Sequence, residues 1–139
     1  MRVQDVMTKD PACVTPGATI REAAQIMQRE NVGIIPVVEE KGDKRLVGVV
    51  TDRDIAIRVV AEGKDPQATK VDEVASREIV TVDPEQNLDE ALRLMAQHQV
   101  RRLPVVEEDG RPVGILSQAD VARAGDDAET GRVVQEISE

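Results

Sequence analysis

Apolar residues recur along this chain in two rhythms, and each rhythm names an element. Over residues 20–27 they stand at Ile20, Ala23, Ala24 and Met27, and over 88–95 at Leu88, Ala91, Leu92 and Met95. Both sets follow i, i+3, i+4, i+7, one face of an amphipathic helix. Thr19 and Asn87 precede these faces, with Glu22 and Glu90 three residues later, the pattern of an N-cap acceptor followed by an acid in the first turn. Shorter apolar runs read as strands. "CVT" at 13–15 stops at Pro16, and "IVTV" at 79–82 gives way to Pro84. "IIPVVE" with "LVGVV" and "RLPVVE" with "PVGIL" read as two hairpins. Their charged turns, "EKGDK" and "EDGR", contain Gly42 and Gly110, which give the backbone freedom a tight turn needs. A last helix is expected to begin near Asp52 and another near Gln118.

The pattern is written twice. With a shift of 68 positions, residues 3–42 match residues 71–110 at 14 of 40 places without a gap. Beyond Gly42 and Gly110 the first copy carries two extra residues. The offset then becomes 66, so that Gly48 meets Gly114, Thr51 meets Ser117 and Asp54 meets Asp120. Each copy is a β-α-β-β-α unit too small to bury both faces of a sheet, so two copies packing together is the expected arrangement. The division expected is a first repeat over 1–62, a linker over 63–70 within the polar "EGKDPQATK", a second repeat over 71–125 and a polar tail over 126–139. The fold class is α/β in the α+β sense, with small mixed sheets packed against helices.

Composition narrows the chemistry. Phe, Tyr and Trp are all absent, so the core is aliphatic and any bound base must lie between aliphatic walls. A net charge of −9 argues against nucleic acid and anionic membrane as partners, since both call for basic patches. No window is apolar enough for a membrane span and the N-terminal stretch has no signal-peptide core, so a cytoplasmic location is expected. The one cysteine, Cys13, lies in an apolar stretch and reads as a buried structural thiol. The one histidine, His98, lies near a helix end, with no second histidine or cysteine at zinc spacing. No metal site, catalytic triad or phosphate-binding P-loop is recognisable, and the chain is read as a non-enzyme.

The doubled phrases "IPVV…GVVTDRDI" and "LPVV…GILSQAD" resemble the cystathionine-β-synthase (CBS) domain family, and two copies resemble a CBS pair, or Bateman module. The resemblance covers about residues 3–124. It implies a pseudo-twofold module with two clefts that take adenosine-containing ligands such as AMP, ADP, ATP or S-adenosylmethionine, with no cofactor required. It also implies pairing of modules into a homodimer and signalling to a separate effector protein. In the family, the element that follows the last strand binds ribose and phosphate. Here that element is Thr51, Arg53 and Asp54 in the first copy, and Ser117 and Asp120 in the second. The resemblance further implies cleft roles for Val14 and Thr15, for Ile34, Ile35 and Pro36, for Val82, and for Leu103 and Pro104. Arg101 and Arg102 become candidates for ligand phosphates.

The chemistry suits these types. A carboxylate offers two acceptors to the two donors of a cis-diol, and a hydroxyl with free N–H groups at a helix start suits a phosphate oxygen. Gly48 and Gly114 would bare the strand for a close ligand. The same residues carry a plainer reading. Thr51-x-x-Asp54 and Ser117-x-x-Asp120 fit a helix cap, worth about 1 kcal/mol. Arg101 and Arg102 fit a solvated strand edge. The alternative function is a CBS dimer that binds no ligand and serves as a protein-interaction module. Of the two copies, the one with Thr51 and Asp54 looks better formed, because the second carries Asp83 where the first has Thr15.

Overall fold

The computed structural model of the chain describes residues 1–127, with side chains described through Ala124. In chain order the elements are β1 (Thr8–Lys9), α1 (Ile20–Glu30), β2 (Ile34–Val38), β3 (Leu46–Thr51), α2 (Asp52–Ile55), α3 (Leu88–His98), β4 (Arg102–Val106), β5 (Pro112–Ser117) and α4 (Gln118–Asp127). Short 3-10 turns at Val3–Asp5 and Val71–Glu73 occupy matching places in the repeat. A π-helical stretch, Ala56–Val60, continues α2.

The expected helices form for the expected reasons. Thr19 Oγ1 accepts the Glu22 N–H at 3.1 Å, and Asn87 Oδ1 accepts the Asp89 N–H at 2.9 Å. Both helices close on a left-handed residue, Asn31 and Gln99. Both hairpins form as read, β2 with β3 and β4 with β5. Gly42 and Gly110 take positive φ, +91° and +89°, in their turns.

Two expectations fail locally. The strands at 13–15 and 79–82 shrink to single parallel bridges, Val14 with Val37 and Val82 with Val105. The prolines that follow donate no N–H, so no ladder extends beyond them. Ala24 is exposed, and α1 buries Ile20 and Ala23 with Ile26 and Met27 half-buried beside them. The tail over 126–139 lies almost wholly outside the described residues.

The chain groups into two compact units that are not contiguous in sequence. The first half comprises 11–79 with 109–111; the second comprises 1–10, 80–108 and 112 onward. In the first half Val14, β2 and β3 lie side by side, and Ser76 bridges Val49 on the far edge of β3. The core beneath is Val14, Ile20, Ala23, Ile35, Val37, Val50, Val59, Val71 and Val74. In the second half the order is Val82, β4, β5, then β1, which pairs Thr8 with Ile115 and Lys9 with Gly114. Its core is Val3, Val82, Leu88, Ala91, Met95, Leu103, Val105, Leu116 and Val121. Each sheet is thus finished by a lead-in segment distant in sequence.

Candidate functional site

Each half carries its candidate site where the third lane of the sheet turns into a helix. In the first half β3 ends at Thr51 and α2 begins. Thr51 Oγ1 accepts the Asp54 N–H and Asp54 Oδ2 accepts the Thr51 N–H, both at 3.1 Å, a complete capping box. The turn is anchored from below by the Asp52 N–H, which donates to Gly33 O at 2.9 Å. Asp54 is half-buried, and its Oδ1 accepts from no group among the described residues. Arg53 is exposed beside it. Arg58, one turn further along, donates to Val74 O at 3.0 Å.

The second half repeats the backbone and changes the side chains. The Gln118 N–H donates to Arg101 O, and Ser117 Oγ accepts the Asp120 N–H, both at 3.0 Å. Asp120 is 7 % exposed, and its carboxylate is fully engaged. Thr8 Oγ1 from β1 lies 3.2 Å from both oxygens, and the Arg123 guanidinium, one turn along α4, pairs with Oδ1. The Asp83 carboxylate is spent on a local turn, accepting the Glu85 N–H at 2.8 Å.

The other expected residues divide by direction. Val14, Ile35, Val82 and Leu103 send their side chains into the cores, which leaves only their backbone for a ligand. Part of that backbone is taken too, since Pro36 O and Pro104 O accept the N–H groups of Val14 and Val82. The Thr15 carbonyl accepts from the Ala18 N–H. Ile34 is buried outside the core cluster, on the other face of β2, and Arg102 holds the matching place on β4, half-buried, with Arg101 exposed before it. The strand glycines differ from expectation. A Cβ on Gly48 would come 3.0 Å from Ser76 O. One on Gly114 would come 3.0 Å from Thr8 O and 2.5 Å from Met7 Sδ. On that side the bare backbone admits the neighbouring segment of the same half.

Sequence reasoning missed Thr8 and Arg123. The signals were present. Thr8 meets a second hydroxyl, Ser76, under the repeat, and Arg123 lies three residues after Asp120 on one helix. Cys13 is half-buried, its Sγ 3.4 Å from Pro11 O. Burial pushes its thiol above the ordinary range, with Lys44 opposing. His98 is exposed in the last turn of α3. Among the described residues no cluster of three or more His, Cys, Asp or Glu is placed to hold a metal, and no helix is long and apolar enough to cross a membrane.

Comparison with known proteins gives one pattern. The family model described as "CBS domain" matches residues 3–61 and again 71–127. Hypoxic response protein 1 of Mycobacterium tuberculosis is 41% identical over 120 residues, 86% of this chain and 82% of that protein. A crystal structure of Hypoxic Response Protein I with two coordinated zinc ions has a TM-score of 0.78 at 40% identity, covering 88% of this chain and 98% of that one. The CBS domain pair of protein MJ0100, in complex with 5′-methylthioadenosine and S-adenosyl-L-methionine, has a TM-score of 0.81 at 29% identity over 92% and 98%. CBSX2 in complex with AMP has a TM-score of 0.78 at 28% identity over 93% and 98%.

Proposed function

The chain belongs to the CBS domain family, and from that premise we propose that it is a regulatory module that binds an adenine nucleotide of the AMP, ADP or ATP kind and signals its occupancy to a separate protein. The observation that carries this reading is the half-open Asp54 carboxylate. One oxygen holds the helix start and the other has no partner among the described residues. A ribose diol supplies the missing donor, and a charge-assisted bond there is about twice as strong as a neutral one. The Thr51 hydroxyl and Arg53 stand beside it for the phosphate end. The adenosine ligands of MJ0100 and CBSX2 support this ligand class. In this reading the protein catalyses nothing, requires no cofactor and works in the cytoplasm. It also pairs with itself through the exposed Ile57 and Val60, which are 47% and 69% accessible. Binding acts on the effector only by favouring one of two states of the module.

The test is thermal unfolding with a panel of adenosine compounds, followed by circular dichroism because the chain has no tryptophan or tyrosine. A ligand at 100 times its Kd adds about 2.7 kcal/mol, a shift of a few degrees for a chain of this size. Asp54→Ala removes the shift. Asp54→Asn keeps an acceptor for the Thr51 N–H, so its unliganded Tm stays near wild type while the shift shrinks. An Asp54→Ala protein that binds as wild type does ends the ribose assignment. No shift with any compound favours the second reading, an interaction module with closed sites, for which the packing of Met7 over Gly114 speaks.

A further inference from the structure

The lead-in segment 1–10 is seated on the second half by contacts that another copy of the chain could equally supply. Val3 is fully buried in that core, with Val6 and Met7 packed against it. The Val3 and Gln4 N–H groups donate to Gln86 O and Pro84 O at 3.0 and 2.9 Å. Met1 O accepts the Leu88 N–H at 3.0 Å, and the Asp10 N–H donates to Val113 O at 3.2 Å. We infer that this segment exchanges between two copies of the chain, each seating residues 1–10 on the second half of the other, through a hinge at Asp10 and Pro11.

The hinge is short and strained. Beyond Asp10 the next backbone tie is the Val14 N–H, which donates to Pro36 O at 3.0 Å, so only Pro11, Ala12 and Cys13 lie between. Asp10 is held at a left-handed φ of +53°. The Pro11 ring favours extended backbone in the residue before it, so the closed arrangement keeps Asp10 where its own Cβ and the next ring both oppose it. An extended Asp10 releases that strain and lifts the segment from its own second half. A second copy offers the same seat and remakes every contact that was broken. The closed and exchanged forms then differ chiefly by hinge strain, which favours exchange, and by the entropy of association, which opposes it. The other lead-in segment lacks this device. Under the repeat, Glu78 and Ile79 stand where Asp10 and Pro11 do, so no proline follows, and Glu78 has no positive φ. The chain leading into that segment is tied down as well, because Pro66 O and Thr69 O accept the Arg21 and Ile20 N–H groups. The exchange uses neither a ligand nor the exposed Ile57 and Val60, so it stands apart from the function proposed above.

The experiment traps the exchange with a disulfide. Arg2 and Asn87 form an antiparallel bridge framed by the Met1–Leu88 and Val3–Gln86 hydrogen bonds. They are therefore a non-hydrogen-bonded pair with Cα atoms about 4.5 Å apart, within reach of a disulfide. Both residues are exposed, so Arg2→Cys with Asn87→Cys should fold, in a Cys13→Ala background that removes the native thiol. A circular dichroism melt checks this. The full chain is refolded from urea under reductant at a series of protein concentrations, then oxidised and run on a non-reducing gel. A closed chain, or a pair joined through Ile57 and Val60, forms the disulfide within one chain. An exchanged pair forms it between chains. A covalent dimer is expected, with a share that rises with concentration. Neither single cysteine variant should give it alone, and the two refolded together should. Asp10→Gly accepts the left-handed φ freely and should lower the dimer's share by about fivefold. A disulfide confined to single chains at every concentration overturns the inference, and so does the absence of a disulfide in either form. A dimer share unmoved by Asp10→Gly overturns the hinge on which the exchange depends.

Discussion

Asp54 and Asp120 occupy the same position after the same strand at the start of matching helices, yet one carboxylate is half open and the other is closed. Their own helices account for only part of this difference. Thr51 and Ser117 each accept the N–H three residues ahead, at 3.1 and 3.0 Å. The contrast is made largely by the lead-in segment that borders each sheet. In the second half it brings Thr8 onto Asp120 and Met7 onto Gly114. In the first half the matching residues are Ser76, whose hydroxyl turns to Glu78 O at 3.4 Å, and Ala75. Arg123 against Ile57 completes the difference. A duplicated fold thus keeps its caps, and its two sites diverge through residues outside the doubled motif.

The largest expected effect tests that border. Gly114→Ala forces its methyl against Met7 and Thr8 O, and should destabilise the chain by about 1–3 kcal/mol in a urea titration. Gly48→Ala meets one backbone oxygen at 3.0 Å and an alanine methyl at 3.6 Å, and should cost less. Adding Met7→Ala to Gly114→Ala should recover part of the loss. Equal costs for the two glycines would remove the claimed difference in crowding. A smaller effect separates the hydroxyls. Thr8→Val takes a hydrogen bond from a buried carboxylate and should cost about 1 kcal/mol. Ser76→Ala removes one long exposed contact and should stay within about 0.5 kcal/mol of wild type. A neutral Thr8→Val would mean that Asp120 does not depend on the lead-in strand.

Much of this organisation is legible in the sequence, because it is local. The i, i+3, i+4, i+7 faces, the caps Thr19 and Asn87 and the turn glycines Gly42 and Gly110 are short-range signals, and each appears where the pattern places it. The repeat also locates Thr51, Asp54, Ser117 and Asp120 at helix starts. What stays hidden is non-local. "VQDVMT" is too short and too polar to declare a strand, and no periodicity says that Thr8 will lie against a residue 112 positions away. Arg123 is unremarkable until Asp120 is seen to be buried. Direction within strands is the other loss. Period-two alternation cannot say which face of β2 or β4 meets the core when nearly every residue is apolar, so the sequence does not reveal that the Ile35 and Leu103 side chains turn into the cores. The π-helical turn at Ala56–Val60 has no sequence signature at all.

The smallest effect is a rate, and it turns the chain's one thiol into a reporter for a single half. Cys13 lies in the first half, while its counterpart in the second is Thr81, which is exposed. Burial disfavours the thiolate, so the folded thiol has the higher pKa. The stability this contributes is complete below the ordinary thiol pKa and is lost as pH rises through the raised value. Alkylation should accordingly be slower in the folded chain than in urea at pH 8, with the gap narrowing as pH increases. Pulsed alkylation along a urea titration then follows the opening of the first half, while circular dichroism follows both. In Gly114→Ala the dichroism should move to lower urea. If the alkylation midpoint stays behind, the halves open separately, and the difference between Asp54 and Asp120 is a difference between two independent sites. If both midpoints move together, the halves form one cooperative unit, and closing Asp120 with Thr8 also supports the half that leaves Asp54 open.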